Sequence, residues 1–184
     1  MNKSVEKISE AFTELLQKKP FSKITVRDIV QKSNVHRNTF YYHFQDIPSL
    51  LEYLIQEIID SIEADSSSEI SLVEGIRPTV EYMLAHKKTV MNLYNSLEKE
   101  MLIKGIRKIC ASMVEKFIHS RLGDKELAPK DMELLARFQT AMMTGVLLDW
   151  LENQMSYDVI GDTLRVVALV GWEVTGDAAK GNKL

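Results

Sequence analysis

The stretch TVRDIVQKSNVHRNTFYYHF, residues 25–44, holds two short helical patterns separated by Ser33-Asn34. Thr25-x-x-Asp28 fits a capping box, with Val26, Ile29 and Val30 as the apolar side of the first pattern. Asparagine tolerates the left-handed backbone of a sharp turn, so Asn34 is the expected pivot into a helix opening near Val35 or His36. At about 100° per residue, segment 36–44 puts Phe40 and Phe44 on one side with Val35 at the entry. Asn38 and Tyr42 fall opposite, flanked by Arg37, Thr39 and Tyr41. The expected unit is helix, tight turn, helix, divided by face between core and a polar surface.

Working outward, Val5, Ile8, Ala11, Phe12, Leu15 and Leu16 recur at helical spacing and predict a first amphipathic helix. It should end at KKPF, because proline disfavours helix in the residue before it. A fourth helix opens around Pro48 and carries Leu50, Leu51, Leu54, Ile55, Ile58, Ile59 and Ile62 on one broad stripe. The polar tract EADSSSE reads as a loop, followed by helical patterns near 76–86, 88–96, 98–121, 130–153 and 158–176, with no strand-like alternation. The chain therefore reads as all-α with about nine helices. Residues 1–46 are expected to form a three-helix, helix-turn-helix head, and residues 47–184 an antiparallel helical bundle.

The 184 residues, 45% of them hydrophobic, suffice for a real core. One cysteine, Cys110, cannot make an internal disulfide, and the N-terminus has charges where a signal peptide would be apolar. No uncharged apolar run approaches the roughly 20 residues of a membrane span, so a soluble cytoplasmic protein is expected. The net charge of −3 conceals an asymmetry: residues 1–50 hold eight Lys and Arg against five Asp and Glu, and the acidic excess lies beyond them. The first fifty residues are thus the part suited to an anionic partner.

The outer face of segment 36–44 suits a major groove. Arg37 could donate two bonds to a guanine edge, Asn38 could pair with adenine, and Thr39, Tyr41 and Tyr42 could hold phosphates. His36 and His43 lie on the Phe40 side yet near the helix ends, within reach of a phosphate, while Thr25 and Arg27 stand where the preceding helix offers free N–H groups. The competing reading is a polar helical hairpin whose aromatics merely pack on the fourth helix. The segment ITVRDIVQKSNVHRNTFYYHFQDIPSLL, Ile24 to Leu51, resembles the DNA-binding motif of the TetR/AcrR family of bacterial transcription regulators. Thr39, Phe40, Tyr41 and Phe44 stand at the family's threonine, apolar, tyrosine and phenylalanine places, and the resemblance covers about the first sixty residues. The chain departs from the pattern at Asn34, usually glycine, at Asn38, usually small, and at Ile47, often lysine. HRNTFYYHFQDI is similar to a subgroup regulating dihydroxyacetone-kinase operons. The resemblance implies a homodimer, usually a repressor, that places two recognition helices in successive major grooves of a palindromic operator, about 34–36 Å apart, and is released by an unknown small-molecule effector or partner protein.

Two glycines, 105 and 145, interrupt helical patterns at about 1 kcal/mol each, which close helix approach would offset. The last two helical patterns are apolar around most of their circumference, so a four-helix interface with a second copy is expected, using Ala141, Gly145, Leu148, Ala168, Gly171 and Thr175. Candidate effector-binding residues are Tyr82, His86, Tyr94, Phe117, Phe138 and Trp150. The methionines could add an adaptable lining but more often fill core, and Cys110 reads as inert filler. Glu115 and His119, one turn apart, lack a third metal ligand by spacing, so no metal or cofactor is expected. Without a phosphate loop, nucleophile elbow, zinc signature or paired catalytic carboxylates, the chain does not read as an enzyme. The alternative function is a helical ligand-binding or protein-adaptor module whose head has weak or lost DNA binding.

Overall fold

A computed structural model describes residues 3–65, 71–122 and 128–170, which are helical throughout apart from turns and short connections. The chain divides into two compact units, Met1–Asp60 with His86–Gly105, and Ser61–Ala85 with Ile106–Leu184.

In the first unit, α1 (Lys3–Lys18) buries Ile8, Ala11, Phe12 and Leu16 and stops short of Pro20. A 3-10 turn, Phe21–Lys23, sets Phe21 edge-on to Phe12 with ring centroids 6.2 Å apart. α2 (Val26–Ser33) and α3 (Arg37–His43) follow, joined through Asn34 in the left-handed conformation at φ 53°, ψ 42°. α4 (Ile47–Asp65) is opened by a reciprocal cap, Ser49 N–H donating to Asp46 Oδ1 at 2.8 Å and Asp46 N–H to Ser49 Oγ at 3.1 Å. Its Leu50 and Leu51 join Ile8, Phe12, Ile29 and Phe40 in one core. Packing thus continues past residue 46 and also recruits Leu93 from a helix far along the chain. The EADSSSE tract departs from the expected loop, since α4 runs through Asp65; Glu63 and Ala64 are good helix formers, and residues 66–70 lie outside the described part.

The second unit contains α5 (Leu72–Gly75), a four-residue helix too short to show periodicity in the sequence, and α6 (Arg77–Ala85). α7 (Lys87–Tyr94) belongs to the first unit, whereas α8 (Lys99–Leu122) contributes to both. α9 (Pro129–Glu152) and α10 (Val159–Val170) complete the second unit. Its core holds Cys110, Val114, Leu147, Trp150 and Leu151. Trp150 Nε1 donates to the carbonyl of Tyr157 at 2.9 Å, closing the α9–α10 connection. That connection passes through two consecutive left-handed residues, Gln154 and Met155.

Gly105 meets the expectation of close approach. A Cβ there would lie 2.6 Å from Ile55 Cγ2 of α4. Gly105→Ala should therefore destabilise by up to about 2 kcal/mol in denaturant unfolding, an overpacking cost of about 1–3 kcal/mol offset by the roughly 1 kcal/mol gain in helix propensity. A variant more stable than the parent would show that Ile55 yields freely. Among the described residues nothing lies within 4 Å of a Cβ built at Gly145, so their packing supplies no reason for a glycine there.

Candidate nucleic-acid interface

The helix-turn-helix is built from local bonds that the sequence announces. Thr25 Oγ1 and Thr25 N–H both donate to Asp28 Oδ2, at 2.6 and 2.8 Å, and Asp28 N–H donates back to Thr25 Oγ1 at 3.2 Å. Lys19 Nζ reaches the same carboxylate oxygen at 2.7 Å. At the other end of α2, Ser33 Oγ donates to the carbonyl of Ile29 at 2.7 Å, and the N–H groups of Asn34 and Val35 both turn back to Val30. This fixes the exit angle toward α3.

The Lys19 ammonium, then the Thr25 donors, hold the Asp28 carboxyl down at about 2. A carboxyl depressed in the folded state supports folding above its ordinary value of 3.8, and that support is lost as the pH falls toward 2. Acid unfolding followed by circular dichroism should accordingly lose stability through this window. Asp28→Asn, already lacking the charge, should show a shallower loss; an identical pH profile would remove Asp28 from the account.

On α3, Phe40 is fully buried and Phe44 nearly so, with ring centroids 5.8 Å apart and Phe44 also 5.5 Å from Tyr53 of α4. The opposite face is open: His36, Arg37, Asn38 and Tyr41 are exposed, Tyr42 is 83% exposed, and Thr39 is half-buried. Arg37 lies along its own helix, donating from Nη2 to Tyr41 OH at 3.3 Å with the guanidinium 5.6 Å from the Tyr41 ring centroid. His43 is half-buried, edge-on to Tyr42 at 4.9 Å, while His36 forms the N-cap of α3 without a side-chain capping bond. Arg27 is exposed in the first turn of α2. The cations of this unit are partly committed elsewhere: Lys18 and Lys32 pair with Glu14 at 3.8 and 2.5 Å, and Lys19 pairs with Asp28. Ile47, where the family often has lysine, packs against the core. The sequence-based reading missed the Lys19–Asp28 and Lys32–Glu14 pairs, because these join separate elements and leave no periodic signal.

The other candidate residues fall in several places. Tyr94 is buried beneath the Lys99 ammonium, 4.1 Å from the ring centroid, and His86 stands at the start of α7. In the second unit, burial pushes the half-buried Tyr82 phenol up, Phe117 and Trp150 are core, and Phe138 is 67% exposed. A groove of about 770 Å³ between α8 and α9 is lined by none of these six; Ala141, Thr144, Gly145 and Leu148 line it with Arg107 and Arg137. Ala141, Gly145 and Ala168 are exposed and Leu148 is half-buried, whereas Gly171 and Thr175 lie outside the described residues. Cys110 is fully buried, its thiol pushed up to about 11 by that burial. His119 Nδ1 is bonded to the carbonyl of Glu115 at 2.7 Å, and among the described residues no three His, Cys, Asp or Glu side chains gather as a metal site. None of the described helices is long and apolar enough to cross a membrane.

A capped helix-turn-helix with an open polar face on α3, in a chain that is helical among its described residues, has the architecture of a helix-turn-helix regulator. Residues 8–54 match the family model described as bacterial regulatory proteins, tetR family, and residues 71–159 match one described as transcriptional regulator C-terminal region. The chain belongs to the TetR family of transcriptional regulators. It is 30% identical over 149 residues to the uncharacterized HTH-type transcriptional regulator YxbF of Bacillus subtilis (strain 168), covering 78% of this chain and 38% of that protein. It is 33% identical over 60 residues to the HTH-type dhaKLM operon transcriptional activator DhaS of Lactococcus lactis subsp. lactis (strain IL1403), covering 33% of this chain and 32% of that one. The chain thus matches only about a third of the length of these curated relatives. Among solved structures, the dihydroxyacetone kinase operon activator DhaS superposes with a TM-score of 0.72 at 17% identity over 93% of this chain and 96% of that one. NalD, a secondary repressor of the MexAB-OprM multidrug efflux pump in Pseudomonas aeruginosa, gives 0.57 at 18% identity over 95% and 97%. These structural likenesses establish the fold alone, and the 60-residue sequence match to DhaS agrees with the resemblance read from HRNTFYYHFQDI.

Proposed function

We propose that this chain is a sequence-specific DNA-binding regulator that acts as a homodimer on a two-fold operator. The observation that carries the reading is the divided face of α3, with Phe40 and Phe44 in the core and Arg37, Asn38, Tyr41 and Tyr42 outside. Inserted in a major groove, Arg37 and Asn38 meet base edges, while Thr39, Tyr41, Tyr42, His36 and His43 meet phosphates and sugars. Thr25 contributes differently from a free hydroxyl: its donors are spent on Asp28, so it builds the cap, and the following N–H groups and Arg27 face the phosphate.

The dimer face in this reading is the outward apolar side of α9 and α10. Phe138 is 67% and Leu169 78% exposed, with Leu135, Leu164 and Val166 also open and Ala141, Gly145, Leu148 and Ala168 at its margin. An approaching partner helix supplies the reason for a glycine at 145. The α8–α9 groove offers the space for an effector whose preference for one conformation releases DNA. Repression follows where the operator overlaps the promoter. DhaS, described as an activator, motivates the second reading, activation from an upstream site.

The test is a mobility shift with duplex DNA from upstream of the chain's own gene against a scrambled duplex of equal composition. Preferential binding by a species of twice the chain mass supports the proposal; equal binding to both duplexes, or none, supports the adaptor alternative.

A further inference from the structure

Asn92 of α7 holds the connection between α1 and α2 with every polar atom of its side chain. Its Nδ2 donates to the carbonyls of Leu16 at 2.9 Å and Lys19 at 2.7 Å, and its Oδ1 accepts from Phe21 N–H at 3.0 Å. These are the backbone groups the local sequence leaves without partners. The α-helical donor to Leu16 would be residue 20, a proline with no N–H. The donor to Lys19 would be Lys23, whose N–H bonds to Pro20 instead. Phe21 opens the 3-10 turn, where the first N–H has no acceptor within the turn. An asparagine amide supplies two donors and one acceptor, the set required; aspartate would turn a carboxylate toward two carbonyl oxygens.

The held segment leads directly to the recognition face. Lys19, whose carbonyl Asn92 holds, sends its ammonium to Asp28 in the Thr25 capping box, and that box starts α2. Beside Asn92, Leu93 packs into the core shared with Phe12, Phe21 and Phe40. α7 continues in the chain from α6, which belongs to the second unit.

We propose that Asn92 is a positioning residue for DNA recognition: it fixes the α1–α2 connection, and so the presentation of α3, to a helix that follows in sequence from the C-terminal unit. The inference rests on the regulatory reading above. The side chain touches no DNA in this account and acts through Lys19 and the Thr25 cap.

The test begins by selecting duplexes from a random pool with the full-length parent protein. Affinity for the selected sequence is then compared for the parent, Asn92→Ala, Asn95→Ala and Val5→Ala, at a temperature where circular dichroism shows each fully folded. Asn95 sits one turn further on, with its amide bonded to Met91 of its own helix, and Val5 trims the same core without touching the latch. Asn92→Ala should lose about tenfold in affinity, the cost of a recognition element held loosely, and exchange the Phe21 amide faster; Asn95→Ala and Val5→Ala should bind like the parent. Should Asn92→Ala fail to fold, Asn92→Ser is measured in the same way with the same expectation. If the parent selects no sequence, the regulatory reading fails and takes this inference with it. If the parent selects a sequence and Asn92→Ala binds it equally well, or Val5→Ala loses affinity to the same extent, the positioning role alone is overturned.

Discussion

Phe40→Ala is expected to destabilise the first unit by about 3–5 kcal/mol, the cost of emptying a fully buried phenylalanine site. Phe40 has no exposed surface, its ring lies within 5.5–5.8 Å of those of Tyr41 and Phe44, and it shares a core with Ile8, Phe12, Ile29 and Leu50. α3 has seven residues, far too few to persist as a helix alone, so its order depends on this anchor. The core cannot readily collapse into the space, because Asn34 and the Thr25 cap fix the path of α2 into α3. Denaturant unfolding measures the loss, with Tyr42→Ala, at an 83% exposed position, expected within about 0.5 kcal/mol of the parent. A loss below about 1 kcal/mol at Phe40 would mean that α3 is held by other contacts.

Arg37→Ala and Asn38→Ala should each cost about 1–3 kcal/mol in binding a preferred sequence and relax the preference at one base position. Both side chains are exposed, so the folded chain should keep its stability. Arg37 begins from an ordered position, bonded to Tyr41 OH along the helix, which limits the freedom lost on meeting a base. The same bond alters the expectation for Tyr41→Phe. A phosphate contact alone would give a uniform loss across all DNA, as expected for Thr39→Ala, but removing the Tyr41 hydroxyl also removes an acceptor for Arg37. Tyr41→Phe should therefore weaken binding generally and blunt the preference slightly, whereas Thr39→Ala should only weaken it. Binding by each variant to duplexes varied at one base pair separates these patterns.

The features legible in the sequence are those whose physics is local. Thr25 and Asp28 are three residues apart and satisfy each other, Asn34 takes the one backbone conformation few other residues tolerate, and Phe40 and Phe44 fall on one side at helical spacing. Gly105 was legible as a cost, and α4 was needed to show that Ile55 is what it accommodates. Asn92 was not legible at all, because its partners lie 71–76 residues away and an asparagine in α7 carries no periodic signal. Side-chain type alone points to the six effector candidates, whereas the α8–α9 groove depends on which faces of two long helices diverge, a property of tertiary packing. The short α5 falls below the length at which apolar spacing distinguishes a helix from a loop.

The central claim, that the exposed face of α3 reads base sequence, is tested most directly by repeating the random-pool selection with Arg37→Ala at matched salt. The account predicts that the parent recovers a two-fold consensus and that Arg37→Ala, equally folded, recovers one degenerate at a symmetric pair of positions. Recovery of the parent's full consensus by Arg37→Ala would contradict it.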